Sequence, residues 1–180
     1  LIIVGKKIGK KVGKTIVGLS PATLERFVLR ARRAVGLRGS VNVWLTSSRQ
    51  LRLLNAQFRG KDKATDVLSF PVLAPFLPGK TLAGDLAISL DIAGENAVRL
   101  QHPLAEEIKI LVLHGILHLA GFDHETDNGE MADEEDRLRR QLRLKVGLIG
   151  RASRSGGRAA DGRNMGMRSP GPPLSRRSTA

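Results

Sequence analysis

At 180 residues, 41% of them hydrophobic, the chain suits one domain with tails and has enough apolar content for a buried core. It has no cysteine, which excludes disulfides and thiolate metal sites and fits a reducing cytoplasm. The longest apolar run, residues 108–121, is broken by Lys109 and two histidines and is too short and polar for a bilayer, so no membrane association is expected.

The formal charge of +13 sits mainly in the flanks: residues 1–20 hold five lysines and no acid, and residues 150–180 hold seven arginines and one aspartate. Three segments follow: a basic N-terminal segment (1–20), a folded domain (21–149) and a basic tail (150–180). Leu1-Ile-Ile-Val4 is read as an edge strand. Its lysines follow the short apolar run, which is not the order of a signal peptide. The tail is Gly, Ser, Pro and Arg with few large apolar residues, a composition that predicts disorder. It is either a solvated extension or a cationic tether for RNA, and composition alone does not separate the two.

Within the domain, Ser20 caps a predicted helix with Pro21 at its first position, running to about Val35. Val41 to Leu45 alternates like a half-buried strand. Ser47 or Ser48 opens a second helix that runs through Arg59. Asp66–Phe70 and Leu82–Ser89 read as strands, and Asp91–Leu100 as a short helix. His102 reads as a loop residue. Pro103 starts a long helix that is apolar nearly all round and therefore central and buried. A last helix, Asn128–Leu144, has an acidic start and a basic end, which complements its dipole. The order predicts an α+β domain: a small mixed sheet packed around a buried central helix.

That helix carries the most informative window, His114-Gly-Ile-Leu-His118-Leu-Ala-Gly121-Phe-Asp123-His124, which holds three of the four histidines. His114 and His118 project from one helical face. Gly121 suits the point where the helix must stop and turn, bringing His124 back to the same place. Three imidazoles with no fourth protein ligand nearby describe a zincin-like metal site, one Zn2+ per chain with a position open for water. An isolated histidine on an apolar face is more often a core residue, but three with a glycine at the turn are not.

The spacing equals that of the metzincin proteases, whose general-base glutamate directly follows the first histidine. Here that position is Gly115, which has no side chain. The metal ligands are kept while the protease's base is missing. Three neutral imidazoles also leave the full charge of zinc in place, which suits an anionic phosphodiester.

The same window resembles the signature of the YbeY family, metal-dependent, single-strand-specific endoribonucleases that mature ribosomal RNA. Two further blocks are similar to that family: Leu54-Asn55-Ala-Gln-Phe58-Arg59 continuing into Thr65-Asp66-Val-Leu-Ser69-Phe70-Pro71, and Ala83-Gly84-Asp85-Leu-Ala-Ile-Ser89. The resemblance spans about Val41 to about Leu148, with Phe122 where the family often has Tyr. It implies a zinc-dependent endoribonuclease in maturation of the 16S rRNA 3′ end and ribosome quality control. Implied partners are single-stranded or ribosomal RNA, the small ribosomal subunit and its assembly factors, in the cytoplasm, with no DNA expected. Arg59 and His114 are the implied catalytic residues, and His114, His118 and His124 the zinc ligands. Asp123 either orients an imidazole or forms the turn. Thr65, Asp66 and Ser69 are expected to hold the strand facing the metal helix, Met131 to face the core, and Asp85 to be structural or a partner contact. Aromatic residues are few, five Phe and one Trp, so no stacking platform is visible. The alternatives are a non-catalytic assembly factor with structural zinc and, disfavoured by Gly115, a metallopeptidase.

Overall fold

The computed structural model describes residues 2–4, 16–72, 82–124 and 126–144. The expectation for the tail, 150–180, lies outside these. The elements are β1 (Ile2–Val4), α1 (Pro21–Val35), β2 (Ser40–Thr46), α2 (Ser48–Arg59), β3 (Val67–Pro71), β4 (Leu82–Ser89), α3 (Leu90–Arg99), α4 (Leu104–Leu119) and α5 (Glu130–Leu142). The strands form one mixed sheet in the order β1-β2-β4-β3, with β1, β2 and β4 parallel and β3 antiparallel to β4. The N-terminal strand is an edge strand, as the sequence indicates.

Local signals set the helix starts. Ser20 accepts a hydrogen bond from the N–H of Thr23 at 3.2 Å, and Pro21 sits where a missing N–H costs nothing. Ser47, rather than Ser48, caps α2 by accepting from Gln50. Helix α3 begins one residue before the sequence reading, because Ser89 caps it. Strand β3 is shifted by one residue, since the Asp66 carboxylate turns back to accept the N–H of Val67 at 2.9 Å. Helix α5 is shorter than predicted at both ends. The Asp127 carboxylate accepts from Gly129 and Met131 at its start, and Arg143 at φ 60° stops it.

The sheet's alternation divides its side chains between two cores. Val41, Val43, Leu45, Leu86 and Ile88 face α1, α4 and α5 in the main core, with Met131 buried there as expected. Leu68 and Ala87 point the other way and pack with Leu51 of α2, flanked by Trp44, Leu54 and Phe70. Helix α4 is buried nearly all round: Ile108, Leu111, Val112, Leu113, Ile116 and Leu117 are each almost wholly covered. It approaches the sheet closely at Gly115. A Cβ there would lie 2.7 Å from Cδ2 of Leu86 and 3.2 Å from Oγ of Ser69.

His102 lies between α3 and α4, in a loop as predicted, and its ring is buried. Its side chain is only 4% exposed, and Nε2 lies 2.9 Å from Oε2 of Glu107, itself 0% exposed.

Candidate metal centre

His114 and His118 occupy successive turns of α4, rings edge to face with centroids 4.8 Å apart. Helix α4 ends at Leu119 with Ala120 as its C-cap, and Gly121 adopts φ 95°, a conformation that a side chain would oppose. The N–H of Gly121 bonds to the carbonyl of His118, and that of Phe122 to Leu117. This turn swings His124 back until its ring centroid is 5.3 Å from His114 and 5.1 Å from His118. One ligand atom from each ring lies within 4.8 Å of the others, and together the three could hold a metal ion.

The inner two rings are oriented through Nδ1. His118 donates Nδ1–H to the carbonyl of Phe122 at 3.0 Å, and His114 donates Nδ1–H to Oε2 of Glu135 at 2.9 Å. A carbonyl can only accept, and an ionised carboxylate likewise, so both Nε2 atoms are left with lone pairs aimed inward. These Nε2 atoms are 3.2 Å apart. Two nitrogens bound to one tetrahedral zinc at about 2.0–2.1 Å would be roughly 3.3 Å apart. Charge agrees with the donor set. Burial pushes His118 below its ordinary pKa, the neighbouring histidines add to this, and the Phe122 bond only partly opposes it, which favours the neutral ring that ligation requires.

Glu135 was not visible as a site residue in the sequence. It is 2% exposed and lies on α5 with Arg139, also 2% exposed, one turn on. Nε of Arg139 donates to Oε1 of Glu135 at 2.8 Å, and its NH2 group also donates there. Burial alone would push the Glu135 carboxyl up. The His114 hydrogen bond and the Arg139 charge outweigh that and hold it below the usual range. One signal was available: Glu135 and Arg139 are spaced i, i+4 on the side of α5 that buries Met131, Leu138 and Leu142.

Arg59, the last residue of α2, lines the same cavity as the three histidines, Asp123 and Glu135, a space of about 910 Å3. The chain beyond Arg59 is clamped. Asn55, buried, accepts from Gly60 and Lys61 through its carbonyl, and its side-chain amide donates to the carbonyl of Lys63 at 2.8 Å. Gly60, at φ 66°, makes the reversal. Arg52 grips Asp62 with two hydrogen bonds of 2.6 and 2.7 Å across the same turn. Ser69 donates to the carbonyl of Gly115 at 3.2 Å, which ties β3 to α4, and Thr65 and Asp66 line the cavity near it. The Asp123 carbonyl accepts from Thr126 and Asp127, which is the turn role, and the residue also lines the cavity. Asp85 lies away from the histidines, accepting from Asn42 at 2.8 Å on the α2 side of the sheet.

An α+β domain with a His-x3-His-x5-His cluster over the sheet edge and an arginine entering from a second helix defines the class of site. The chain belongs to the Endoribonuclease YbeY family, whose profile matches residues 13–143. It is 53% identical to the Endoribonuclease YbeY of Koribacter versatilis over 147 residues, 82% of this chain and 93% of that one. It is 49% identical to that of Nautilia profundicola over 61% of this chain and 76% of the relative, and 47% identical to that of Solibacter usitatus over 73% and 89%. The likeness to a solution structure of TM1509 from Thermotoga maritima is looser, with a TM-score of 0.45 at 28% identity over 91% of this chain. Among the described residues, no helix is long and apolar enough to cross a membrane.

Proposed function

We propose that the protein is a single-strand-specific, zinc-dependent endoribonuclease of the cytoplasm that acts in maturation of the 16S rRNA 3′ end and in ribosome quality control. Its partners on this reading are the small ribosomal subunit and its assembly factors. The observation that carries the reading is the convergence of three imidazoles and Arg59 on a single cavity. The relatives named above are called endoribonucleases, which supports RNA as the substrate.

In this reading His114, His118 and His124 would hold one zinc ion, which when bound would supply Lewis acidity and lower the pKa of water towards about 7. The chain's own groups do the rest. Glu135 and the Phe122 carbonyl keep the His114 and His118 rings turned so that Nε2 faces the centre. Arg59 binds the non-bridging oxygens of the scissile phosphate in a bidentate grip and stabilises the charge that grows on them as water adds to phosphorus and the P–O bond breaks. A peptidase is disfavoured, because Gly115 supplies no general base after the first histidine, and a Cβ there would lie 2.7 Å from Cδ2 of Leu86 in the sheet.

The test is to incubate the purified protein, with and without chelator, with single-stranded RNA, duplex RNA and casein. Chelator-sensitive cutting of the single strand alone is expected. Casein cleavage, or RNA cleavage indifferent to chelation, would overturn the reading.

A further inference from the structure

Imidazoles and one arginine address a phosphate, and leave open what receives the bases on either side of it. Beside the metal cavity, on the sheet face that carries α2, lies a second groove of about 510 Å3. Its walls include Asn42, Trp44, Leu54, Phe58, Phe70 and Asp85. Phe58 and Phe70 line both spaces and so form the partition between them. Phe58 is the residue directly before Arg59, and 61% of it is exposed. Its ring meets Phe70 edge-on, centroids 5.3 Å apart at 74°. Phe70 in turn packs against the small core of Leu51, Leu68 and Ala87. The outer ring is thus braced from behind and bare in front.

We propose that this groove holds one unpaired nucleobase of the RNA strand, next to the nucleotide whose phosphate lies at Arg59 and the histidines; the proposal rests on the endoribonuclease reading. A base has an apolar π-face and a polar rim, and the groove matches both. Phe58, Phe70 and Trp44 supply the aromatic surface on which a base stacks without regard to sequence. At one end, the Asp85 carboxylate takes one hydrogen bond from Asn42 at 2.8 Å and keeps further acceptor capacity, suited to an exocyclic amino group. That same anion repels phosphate, so the groove takes the base and leaves the backbone to Arg59. In a duplex each base face is already stacked on its neighbours, so a subsite that requires a bare face selects single strands.

The experiment measures single-turnover cleavage against protein concentration, for one single-stranded oligoribonucleotide and a set of copies carrying one abasic nucleotide at each position in turn. For the wild-type protein, one abasic position near the cleaved bond should raise the half-saturating concentration about tenfold or more, the scale of one lost stacked base. Phe58→Ala should weaken the intact oligonucleotide by a similar factor and make that position silent, with zinc content unchanged. Phe58→Trp should restore the effect. An abasic profile identical in wild type and Phe58→Ala overturns the base subsite, as does unchanged affinity for intact RNA, which is the result expected if the groove serves a protein instead. RNA left uncut by the wild-type protein defeats the endoribonuclease reading, and this proposal with it.

Discussion

His114 on α4 and Glu135 on α5 are joined by a 2.9 Å hydrogen bond between Nδ1 and Oε2, and Arg139 holds the other oxygen of the same carboxylate. An ionised carboxylate behind an imidazole fixes its tautomer and strengthens it as a donor. Glu135→Gln should therefore lower zinc affinity by about 10–100-fold, measured by competition with a chromophoric chelator. The substitution also leaves the buried Arg139 without its counter-ion, which is destabilising. Pairing it with Arg139→Met separates the effects: stability should recover while zinc affinity stays low. Wild-type affinity in the double variant would show that Glu135 serves Arg139 alone.

Metal stoichiometry should be one zinc per chain. His118→Ala should abolish it, because two imidazoles do not complete a three-histidine site. Elemental analysis after dialysis reads this directly. Stoichiometric zinc in a variant with all three histidines replaced by alanine would move the site elsewhere.

Arg59→Ala should keep zinc content and melting behaviour and reduce RNA cleavage by roughly 100-fold or more, the scale of one lost charge-stabilising donor. Arg59→Lys should recover only part, since an ammonium lacks the planar fork. A wild-type cleavage rate in Arg59→Ala would reduce this residue to a bystander.

Glu107 gives a pH dependence away from the metal ligands. Burial pushes its carboxyl above the ordinary range; the Asn96 amide and the charges of Arg139 and Arg99 oppose this, and the Asp66 charge adds to the rise. A carboxyl with a raised folded pKa binds its proton more tightly folded than unfolded. Its contribution therefore favours the fold below the unfolded value of about 4.3 and is lost as pH rises from there towards the folded value. Glu107→Gln has no proton to lose. The stability of the variant relative to wild type should thus rise from pH 4 towards neutrality, as read in urea unfolding at several pH values. A difference independent of pH would mean that Glu107 titrates alike in both states.

Gly115→Glu probes the closest approach of helix to sheet. The new side chain meets Leu86 and Ser69, and its charge is buried among apolar groups. Overpacking and an unpaired buried charge together should cost more than about 3 kcal/mol. Urea unfolding measures it, and no peptidase activity should appear. Wild-type stability would contradict the packing described.

What the sequence made legible was whatever depends on neighbours along the chain. Ser20 and Pro21 announce α1 locally, and the spacing of His114, His118 and Gly121 announces a cluster because one helix and one turn build it. Glu135 escaped because the ring it holds, His114, arrives from another element. A glutamate on an acidic helix start looks like a dipole complement until α5 is laid across α4. The sheet order β1-β2-β4-β3 was hidden for the same reason, since no residue of β2 signals that it pairs with β4 rather than with β3. Phe58 shows the limit in the other direction. Counting aromatics suggested no platform, and the contact of Phe58 on α2 with Phe70 on β3 became visible only in the fold.

The missing side chain at Gly115 also acts as a spacer of minimal thickness. With only a hydrogen between α4 and Leu86, the helix rests directly on the strands, and Ser69 bonds to its backbone at the same point. The histidines one residue before and three residues after are thereby registered against β3, which is the strand reached from Arg59 through the clamped turn. The reach from imidazole to guanidinium is thus set by interlayer thickness, and a larger residue at 115 would lengthen that reach without touching either group.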